Sequence, residues 1–485
     1  MTLTRFRSQA SGSVDATVHP DAPAVHVVTF GCQMNKYDSL LAEGRFRKHG
    51  YRLAEKMSDA DVVLFNTCSV RDHAEERAFS WVGELKHLKA ERPELVIGVM
   101  GCMAQRLEED IFGRAGHIDL VAGTRSFDRL PEMVAEVRAR RANPELFRPK
   151  EMRVLDTGTE RQIAVERGEE VYTGGLHGWL AVMRGCDLNC TYCIVPTTRG
   201  RVQSRPIDDL VREARWMVAG GARAITLLGQ TVNSYGEDLP KPGPGDAKHR
   251  GRQGRPSLAD LLDALVQIDG LERIRMVTLH PSYVTQALAE SIASSDKIER
   301  FLPLPLQAGS DSVLKAMKRG YTTDLYRKRV DILRSVVPDI ELASDWIVGF
   351  PGEAEEDFQA SEALLEEYSF AVNYIFKYDP RPGTRSAEGE DLVSTAVKKE
   401  RNQRLLAAAE RAGRIRHAAH VGTTRRVFVE SVSEKHVGDL RGKTEHGLPV
   451  SFAGEPELVG TVVPVEIREA SAYGLGGFQL QAPSE

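Results

Sequence analysis

Residues 179 to 193 have the sequence WLAVMRGCDLNCTYC, an apolar run that leads directly into three closely spaced cysteines. The apolar part has the length and composition of a buried β-strand. Five similar runs follow along the chain, and each leads into a stretch of helical periodicity. The repeat therefore predicts a parallel βα barrel, partial or complete, over residues 175–419. The five later runs are RAITLLG (223–229), RIRMVTL (273–279), FLPLPLQ (301–307), ELASDWIVGF (341–350) and FAVNYIFKY (370–378).

The sequence before the barrel shows a second, independent βα repeat. Four apolar runs alternate with amphipathic stretches over residues 24–140, which predicts an open parallel α/β sheet covered by helices. Residues 1–23 mix small polar residues and single charges without periodicity and are predicted to be a flexible tail. Residues 141–174 are rich in Pro, Gly and mixed charge and are predicted to be a linker. The four apolar runs are AVHVVTF (24–30), DVVLFNT (61–67), LVIGVMG (95–101) and IDLVAG (118–123).

The sequence after the barrel changes character. A long helical stretch covers about residues 391–420, and residues 420–485 consist of short β-type runs separated by turn residues, which predicts a small closed β-barrel. Within the βα barrel, residues 236–256 are rich in Gly, Pro and charge and are predicted to be a mobile surface loop. The chain is thus predicted to be an α/β multidomain protein with a small all-β domain at its end.

Composition supports a folded protein and says little about partners. The 485 residues are 41% hydrophobic and 27% charged, with 64 basic and 69 acidic residues and a net charge of −5. A nucleic acid would therefore have to bind to a local basic patch. There are six cysteines, and no apolar signal segment is present in the first 25 residues. These features predict a cytoplasmic, reducing location and no membrane role.

Three cysteines, Cys186, Cys190 and Cys193, form a C-x3-C-x2-C loop directly after the first barrel strand. The carboxyl ends of barrel strands are where such folds place their chemistry. Three thiolates can hold three corners of a four-iron cluster and leave one iron open to an outside ligand. The alternatives are a structural zinc site, which would need a fourth ligand such as His177, and three unreactive buried cysteines.

The other three cysteines, Cys32, Cys68 and Cys102, are far apart in sequence, but each directly follows a predicted strand of the first sheet. Adjacent parallel strands end at the same edge, so three such loops are expected to meet there. This predicts a second site with three thiolates. The alternative is that the three residues are small members of the hydrophobic core.

The loop CDLNCTYC resembles the cluster-binding loop of radical S-adenosylmethionine (SAM) enzymes, including the aromatic Tyr192 before its last cysteine. The wider pattern resembles the methylthiotransferase branch of that family and extends over residues 24 to about 480. The resemblance implies a radical SAM enzyme, an alkylthio transferase, whose small C-terminal β-barrel is a TRAM domain. The matching segments are TFGCQMNKYDS (29–39), NTCSVRDHAEER (66–77), GCMAQR (101–106), RGCDLNCTYCIVPTTRGR (184–201), LLGQTVNSYG (227–236), LPLQAGSD (304–311), MKRGYT (317–322) and DWIVGFPGE (345–353).

The resemblance also implies cofactors and site residues. Cys186, Cys190 and Cys193 would hold a [4Fe-4S] cluster that reductively cleaves SAM to a 5′-deoxyadenosyl radical. The remaining three cysteines would hold an auxiliary [4Fe-4S] cluster that delivers sulfur. Polar groups at strand ends are candidates for binding SAM, although each is as well explained by a hydrogen bond to a neighbouring loop. These candidates are Gly229, Gln230, Gln307 and Asp345, together with Tyr192, which would either stack on the adenine or pack beneath the loop.

Within the branch, Gln33, Met34 and Asn35 after the first cysteine are most like members that modify isopentenylated adenosine beside the tRNA anticodon. The alternatives are the members that act on threonylcarbamoyl-adenosine or on a ribosomal protein, and a protein without turnover that carries a cluster or binds RNA. The resemblance implies three partners: the anticodon stem-loop of tRNA, an electron donor such as flavodoxin or ferredoxin, and a sulfur source. It also implies that the chain is a monomer.

Two regions are candidates for holding the RNA. The first is the predicted TRAM domain, whose run from Gly442 to Glu445 and residues 450–452 match the usual pattern of such domains, although residues 421–485 are acidic overall. The second is the helical stretch Lys398–Arg416, with seven basic and two acidic residues. Four of its arginines are predicted to share one helix face, which is either an RNA contact or simply a solvated surface: Arg401, Arg404, Arg411 and Arg414.

Overall fold

The computed structural model describes residues 19, 21–69, 72–158, 172, 174–245, 248–390, 393–434 and 436–480, with the side chains of 72–74 excepted. Most of the predicted tail, residues 1–23, lies outside the described residues. The chain divides into two compact units. The first contains the residues up to Gly175 together with Ile194–Arg201 and Arg215–Gly221, and the second contains the rest.

The first unit contains the predicted parallel α/β sheet. Its six strands are all parallel and lie in the order β2-β1-β3-β4-β5-β6. The central strands β3 and β4 are buried along their whole length, and separate hydrophobic clusters cover the two faces of the sheet. The elements are β1 (Ala24–Thr29), α1 (Gln33–Lys48), β2 (Arg52–Leu53), β3 (Val62–Thr67), α2 (Asp72–Glu91), β4 (Val96–Gly101), α3 (Cys102–Leu107), α4 (Asp110–Arg114), β5 (Leu120–Ala122), α5 (Leu130–Ala142), β6 (Val154–Asp156) and, from later in the chain, α6 (Val195–Arg199).

The segment predicted to be a linker, residues 141–174, has more structure than the sequence suggested. Its residues Val154–Asp156 form β6, which pairs in parallel with β5 and completes the sheet. The strand has only three residues, too few to show an alternating pattern, and it is held by backbone hydrogen bonds that leave no sequence signature. Residues 159–171 lie outside the described part of the chain.

The second unit contains all six predicted barrel strands. They form two parallel sheets of three, β7-β10-β11 and β12-β13-β14. A parallel bridge between Ile274 and Ile298 joins the two halves. The elements are β7 (His177–Ala181), β8 (Met183–Arg184), β9 (Gln203–Ser204), α7 (Ile207–Ala219), β10 (Ala224–Leu228), α8 (Leu258–Leu265), β11 (Arg273–Met276), α9 (Gln286–Ser294), β12 (Phe301–Pro303), α10 (Asp311–Ala316), α11 (Thr323–Val336), β13 (Glu341–Val348), α12 (Glu355–Tyr368), β14 (Val372–Lys377) and α13 (Thr395–Ala418).

The loop predicted to be mobile, residues 236–256, closes on itself. A Cβ atom on Gly236 would lie 1.9 Å from the carbonyl oxygen of Pro256, so the two ends of the loop are in contact. Its described residues include a short 3-10 turn at Arg252–Gly254. The mobility of the loop stays a prediction.

The chain ends in a closed five-stranded barrel in the order β15-β16-β17-β19-β18, which confirms the predicted all-β domain. One strand was not anticipated: β16 has the polar sequence DLRGKT. Gly442 lets this strand approach β15 closely, since a Cβ atom there would lie 2.3 Å from the carbonyl oxygen of Phe428. The strands are β15 (Thr424–Val432), β16 (Asp439–Thr444), β17 (Pro449–Ala453), β18 (Val462–Ala470) and β19 (Leu475–Gln479).

Ion pairs fix this small barrel to the amino ends of the βα-barrel strands. Arg275 of β11 pairs with Glu430 of β15 at 2.5 Å, and the buried His446 lies 2.9 Å from Asp339, just before β13. The helix that precedes the small barrel is held at the same end, where Arg416 of α13 pairs with Glu341 at 2.7 Å. The carboxyl ends of the barrel strands are at the opposite end, where the cysteine loop lies. No helix in the described part of the chain is long and apolar enough to cross a membrane.

Candidate metal centres

The three cysteines of the first unit lie where the sheet places the ends of three neighbouring strands. Cys32 follows β1, Cys68 follows β3 and Cys102 follows β4, and β1, β3 and β4 are adjacent. Cys68 and Cys102 are buried, whereas Cys32 is exposed. A hydrogen bond with Cys68 lowers the pKa of the Cys32 thiol to about 6, and burial raises the pKa of Cys102.

Two asparagines join the loops that carry these cysteines. The side-chain oxygen of Asn35 accepts hydrogen bonds from the amide and the thiol of Cys32, at 3.3 and 3.2 Å. Its amino group donates to Asn66 and to the carbonyl oxygen of Thr67, both at 3.0 Å. Asn66 in turn donates to the carbonyl oxygen of Asn35 at 2.7 Å. Both asparagines are fully buried, so this network fixes the positions of the first two thiols.

Glycine is required next to two of the cysteines. At Gly31, with φ of +138°, a Cβ atom would lie 2.7 Å from Cβ of Cys68. At Gly101, with φ of +97° and ψ of −157°, it would lie 2.5 Å from Oδ1 of Asn66 and 2.6 Å from the carbonyl oxygen of Thr67. The loops approach so closely that no side chain fits at either position.

A buried ion pair lies beside the same thiols. Nη2 of Arg199, at the end of α6, donates to Oδ2 of Asp38 in α1 at 2.8 Å, and the two side chains are 4% and 0% exposed. The guanidinium interacts electrostatically with Cys102 and Cys32. Its Nη1 is buried and has no hydrogen-bond partner among the described residues.

The second triad lies at the carboxyl end of the βα barrel, on the loop after β8. Cys186 and Cys190 are buried and Cys193 is partly exposed. Sγ of Cys186 lies 3.5 Å from the hydroxyl of Thr231, which follows β10. Thr191 anchors the loop from the other side, donating to the carbonyl oxygens of Met317 and Ala316, each at 3.0 Å.

Arg319 contacts this loop from below. Its Nη1 donates to Sγ of Cys190 at 3.3 Å and to the hydroxyl of Tyr192 at 3.4 Å, and its Nε donates to the hydroxyl of Tyr321 at 3.2 Å. Arg319 is only 7% exposed. No carboxylate in the described part of the chain forms an ion pair with it. A cation buried in this way is stable only beside an anionic partner, so the site suits a negatively charged group held on the three thiolates.

Both triads therefore fit an iron-sulfur cluster. Each offers three thiols and a buried guanidinium: Nη1 of Arg319 donates to Sγ of Cys190, and Nη1 of Arg199 is left without a hydrogen-bond partner among the described residues. Among the described residues, no three His, Cys, Asp or Glu side chains converge as they would around one metal ion. The ligands of a four-iron cluster bind different irons, so they stand apart and need not converge.

The residues predicted to bind SAM lie in two places. Gln230 follows β10 next to Thr231, and its buried Oε1 has no hydrogen-bond partner among the described residues. Gly229 is where Met183 approaches, since a Cβ atom there would lie 2.6 Å from Cγ of Met183. Gln307, with φ of +72°, donates its backbone N–H to the carbonyl oxygen of Asp345 at 2.9 Å.

The surroundings of the other candidates are equally specific. Asp345 is paired in register with Tyr374 of β14, and burial together with the Asp345 charge raises the pKa of Tyr374. Tyr192 packs edge-on against Phe350, at a centroid distance of 6.4 Å, which is the packing role considered for it. His177, considered as a fourth ligand, begins β7 at the far end of the strand and bonds to Thr226 at 2.9 Å.

Several residues around the thiols had no predicted role, although each lies inside a matching segment. Their presence in the matching segments could have marked them as functional, but each acts through a partner that is distant in sequence. Arg199 and Asp38, for example, are 161 residues apart. These residues are Asn35, Asp38, Asn66, Arg199, Thr231 and Arg319.

The helix predicted as a basic face is not a free cationic surface. Arg401 is buried and pairs with Glu353 at 2.8 Å, and Arg404 pairs with Glu362 at 2.6 Å. Arg411 and Arg414 also pair with carboxylates, at 3.3 and 2.7 Å. Three of these carboxylates come from the segment around α12, more than forty residues earlier, so the sequence of α13 alone could not reveal them. The pairing favours the alternative considered for this helix, a surface of paired charges, and the RNA contact on it stays a prediction.

The TRAM-like residues divide into two groups. Val450 and Phe452 belong to the core of the small barrel, and Thr444 accepts turn hydrogen bonds from His446 and Leu448. Lys443, by contrast, lines a surface groove of about 610 Å³. Its neighbours in the groove include Arg441, Glu430, Glu469 and the exposed Tyr473.

Comparison with protein families places each part of the chain in a class. The model of the Radical SAM superfamily matches residues 180–365, that of the TRAM domain matches residues 418–477, and that of the uncharacterized protein family UPF0004 matches residues 24–123. A solved structure of the radical SAM methyltransferase TsrM from Kitasatospora setae, with cobalamin and a [4Fe-4S] cluster bound, aligns with a TM-score of 0.51. It shares 16% identity and covers 76% of this chain and 77% of its own, which shows a common fold. The chain is a radical SAM enzyme with a TRAM domain, as predicted.

Curated relatives narrow the class to one family. The chain is 40% identical over 471 residues to the tRNA-2-methylthio-N(6)-dimethylallyladenosine synthase of Symbiobacterium thermophilum, covering 95% of both chains. It is 40% identical over 461 residues to the enzyme of the same name from Verminephrobacter eiseniae, covering 94% of this chain and 97% of the relative. The chain belongs to the tRNA-2-methylthio-N(6)-dimethylallyladenosine synthase family. The predicted fold class and the predicted transferase class are confirmed.

Proposed function

We propose that this chain replaces the hydrogen on carbon 2 of N(6)-isopentenyladenosine, beside the tRNA anticodon, with a methylthio group, using two [4Fe-4S] clusters and two molecules of SAM. The observation that supports this most strongly is the pair of separate thiol triads, one at the carboxyl edge of the α/β sheet and one at the carboxyl end of the barrel. A transferase that makes a radical and also supplies sulfur needs two such sites. The relatives named above carry the same reaction in their names.

Each triad has a role in the proposal. Cys186, Cys190 and Cys193 hold the cluster that, when present, reduces SAM with one electron from a low-potential donor such as flavodoxin or ferredoxin. The other triad holds the cluster that supplies sulfur. The C–H bond on the adenine ring is unactivated, so acid–base groups of the protein are too weak to break it, and a radical is needed.

The chain's own groups bind and orient the reactants. The buried Oε1 of Gln230, next to the loop of the second triad, is a hydrogen-bond acceptor ready for a donor such as the SAM amino group. Gln307, four residues after the end of β12, and Asp345, within β13 rather than at its end as predicted, are joined by a backbone hydrogen bond and are the proposed contacts for a ligand in the barrel. Tyr192 holds the loop in place by packing on Phe350.

The groove beside β16 is the proposed tRNA contact. Arg441 and Lys443 lie in it and Tyr473 is 77% exposed, so it offers two cations for phosphates and an aromatic face for a base. Glu430 and Glu469 lie in the same groove, so the attraction of tRNA phosphates is limited to the local patch around Arg441 and Lys443. The sulfur source, the monomeric state and the cytoplasmic location stay predictions.

The proposal is tested by anaerobic reconstitution followed by mass analysis of nucleosides from isopentenylated tRNA incubated with enzyme, SAM, sulfide and a reductant. We expect a methylthio mass increase on isopentenyladenosine. SAM cleavage without that product would refute the proposed substrate and direct the same assay to threonylcarbamoyl-adenosine and to a ribosomal protein. Absence of SAM cleavage would favour a carrier or RNA-binding protein.

Matched cysteine variants test the division of roles. Cys190→Ala should abolish SAM cleavage. Cys68→Ala should leave cleavage intact and stop sulfur insertion, because it lies in the other unit of the chain. Equal loss of both activities in Cys68→Ala, with the barrel cluster still loaded, would contradict the assignment.

A further inference from the structure

The two candidate cluster sites differ in their fixed protein charge. In the barrel, the guanidinium of Arg319 contacts Sγ of Cys190 at 3.3 Å, and its other partners are the neutral hydroxyls of Tyr192 and Tyr321. In the described part of the chain it has no carboxylate partner. Since arginine stays protonated in proteins, this site contains one buried positive charge without a buried carboxylate beside it. The carboxylate of Asp187, next to Cys186, is exposed, so solvent screens its charge.

In the first unit the corresponding charge is cancelled. Arg199 interacts with Cys102 and Cys32, but it is also paired with the fully buried carboxylate of Asp38 at 2.8 Å. Its position is fixed by packing of α6 on α3 and by a hydrogen bond from the hydroxyl of Thr124 to the carbonyl oxygen of Thr198 at 2.6 Å. This buried ion pair therefore adds almost no net charge beside these thiols.

We propose that Arg319 and the Arg199–Asp38 pair set the order in which the two clusters accept an electron, so that the barrel cluster is reduced first. This inference rests on the proposed function, which supplies the two clusters. A cluster held by three thiolates is anionic, and its negative charge grows by one on reduction. A buried cation favours that change, whereas a cation cancelled by a carboxylate does so much less.

The electron balance is simple. One electron passes from a low-potential donor to the barrel cluster, iron is reduced, and no proton moves because the guanidinium remains charged. The consequence is that the first electron goes to the cluster that must cleave SAM. An electron that the donor passed to the auxiliary cluster would not be available for the cleavage of SAM.

The test is a redox titration followed by electron paramagnetic resonance, with titanium(III) citrate as reductant and no SAM. Two full-length backgrounds, each with one cysteine triad replaced by alanine, report on the two clusters separately. We expect the barrel cluster to have the higher midpoint potential. Asp38→Asn should raise the potential of the auxiliary cluster, and Arg319→Gln should lower that of the barrel cluster. For each, the reduced-to-oxidised ratio at a fixed potential should change at least tenfold, which is about 59 mV for a one-electron couple.

Conservative and distant variants separate charge from structure. Arg319→Lys keeps the charge and should restore most of the potential lost in Arg319→Gln. Asp119→Asn removes a carboxylate that pairs with Lys89 and Arg141 at the opposite end of the same sheet, and it should leave the auxiliary potential unchanged. If Arg319→Gln fails to hold its cluster, Arg319→Lys and Asp38→Asn still decide the question.

Two results would overturn the inference: a higher potential for the auxiliary cluster in the unaltered chain, or no shift in Asp38→Asn. A failure of the proposed function looks different. In that case the chain with its barrel triad replaced would contain no iron after reconstitution, and there would be no second potential to measure.

Discussion

Replacing Gly101 by alanine should remove the auxiliary cluster and leave the barrel cluster in place. Gly101 has φ of +97° and ψ of −157°, a region open essentially to glycine, and forcing another residue into it costs about 1–3 kcal/mol. The new Cβ atom would also lie 2.5 Å from Oδ1 of Asn66 and 2.6 Å from the carbonyl oxygen of Thr67. Relieving such overpacking costs about 1–3 kcal/mol more.

The backbone strain and the overpacking together cost about 2–6 kcal/mol. This cost distorts the loop that positions Cys102 and the hydrogen-bond network that positions Cys68. Even the lower value weakens cluster binding by about 30-fold, since about 1.4 kcal/mol corresponds to a factor of ten. We expect Gly101→Ala to contain about half the iron of the unaltered chain after reconstitution. SAM cleavage should be kept, and the methylthio product should be lost.

Gly113→Ala is the matched control. Gly113 lies in α4 of the same unit, and a Cβ atom there would meet nothing within 4 Å. Alanine in a helix is more favourable than glycine by about 1 kcal/mol, so this variant should bind iron normally and unfold at a slightly higher temperature. Full iron content together with normal methylthiolation in Gly101→Ala would refute the reasoning.

Three further predictions concern the second unit. Burial lowers the pKa of His280 to about 3. The folded chain therefore keeps this imidazole neutral, whereas the unfolded chain protonates it below about pH 6.5. The free energy of unfolding should consequently fall by about 2 kcal/mol between pH 7 and pH 5. His280→Asn, which keeps an acceptor for the amide of Ser282, should lose about 2 kcal/mol less over that range in urea unfolding, and an equal loss would contradict the burial argument. The double variant Arg441→Gln, Lys443→Gln should weaken tRNA binding and flatten its salt dependence. Arg411→Gln should leave the salt dependence unchanged, because Arg411 is already paired with a carboxylate. The reverse result would place the RNA site on α13. Arg401→Met should destabilise the chain by about 3–5 kcal/mol in thermal or urea unfolding, because it leaves Glu353 buried without its cation, and Glu353→Gln in the same chain should recover part of that loss; no recovery would argue against the pair.

The sequence predicted the parts of the fold that repeat, because repeated apolar runs produce buried parallel strands. All four predicted strands of the first sheet, three of which lead into a cysteine loop, and all six barrel strands lie where their apolar runs predict. It did not predict β6 and β16, which are short or polar and depend on backbone pairing with a neighbour. The ion pairs of α13 could not be predicted for the same reason: the carboxylates of Glu353 and Glu362, which pair with Arg401 and Arg404, come from another part of the chain.

The thiols were recognisable from sequence because cysteine carries its chemistry in its own side chain. The residues that position the thiols and set the charge around them could not be recognised from sequence. Four of them act only through partners that the fold supplies: Asn35, Asp38, Arg199 and Arg319. Asn35 is a common polar residue until Asn66 and Thr67 are placed beside it, and Arg199 and Arg319 are alike until one is found on Asp38 and the other on two neutral tyrosines. That difference in partners gives one thiol triad a net positive neighbour and the other a neutral one. Variation at Asp38 or Arg319 should therefore change electron delivery while leaving every cysteine of the pattern intact.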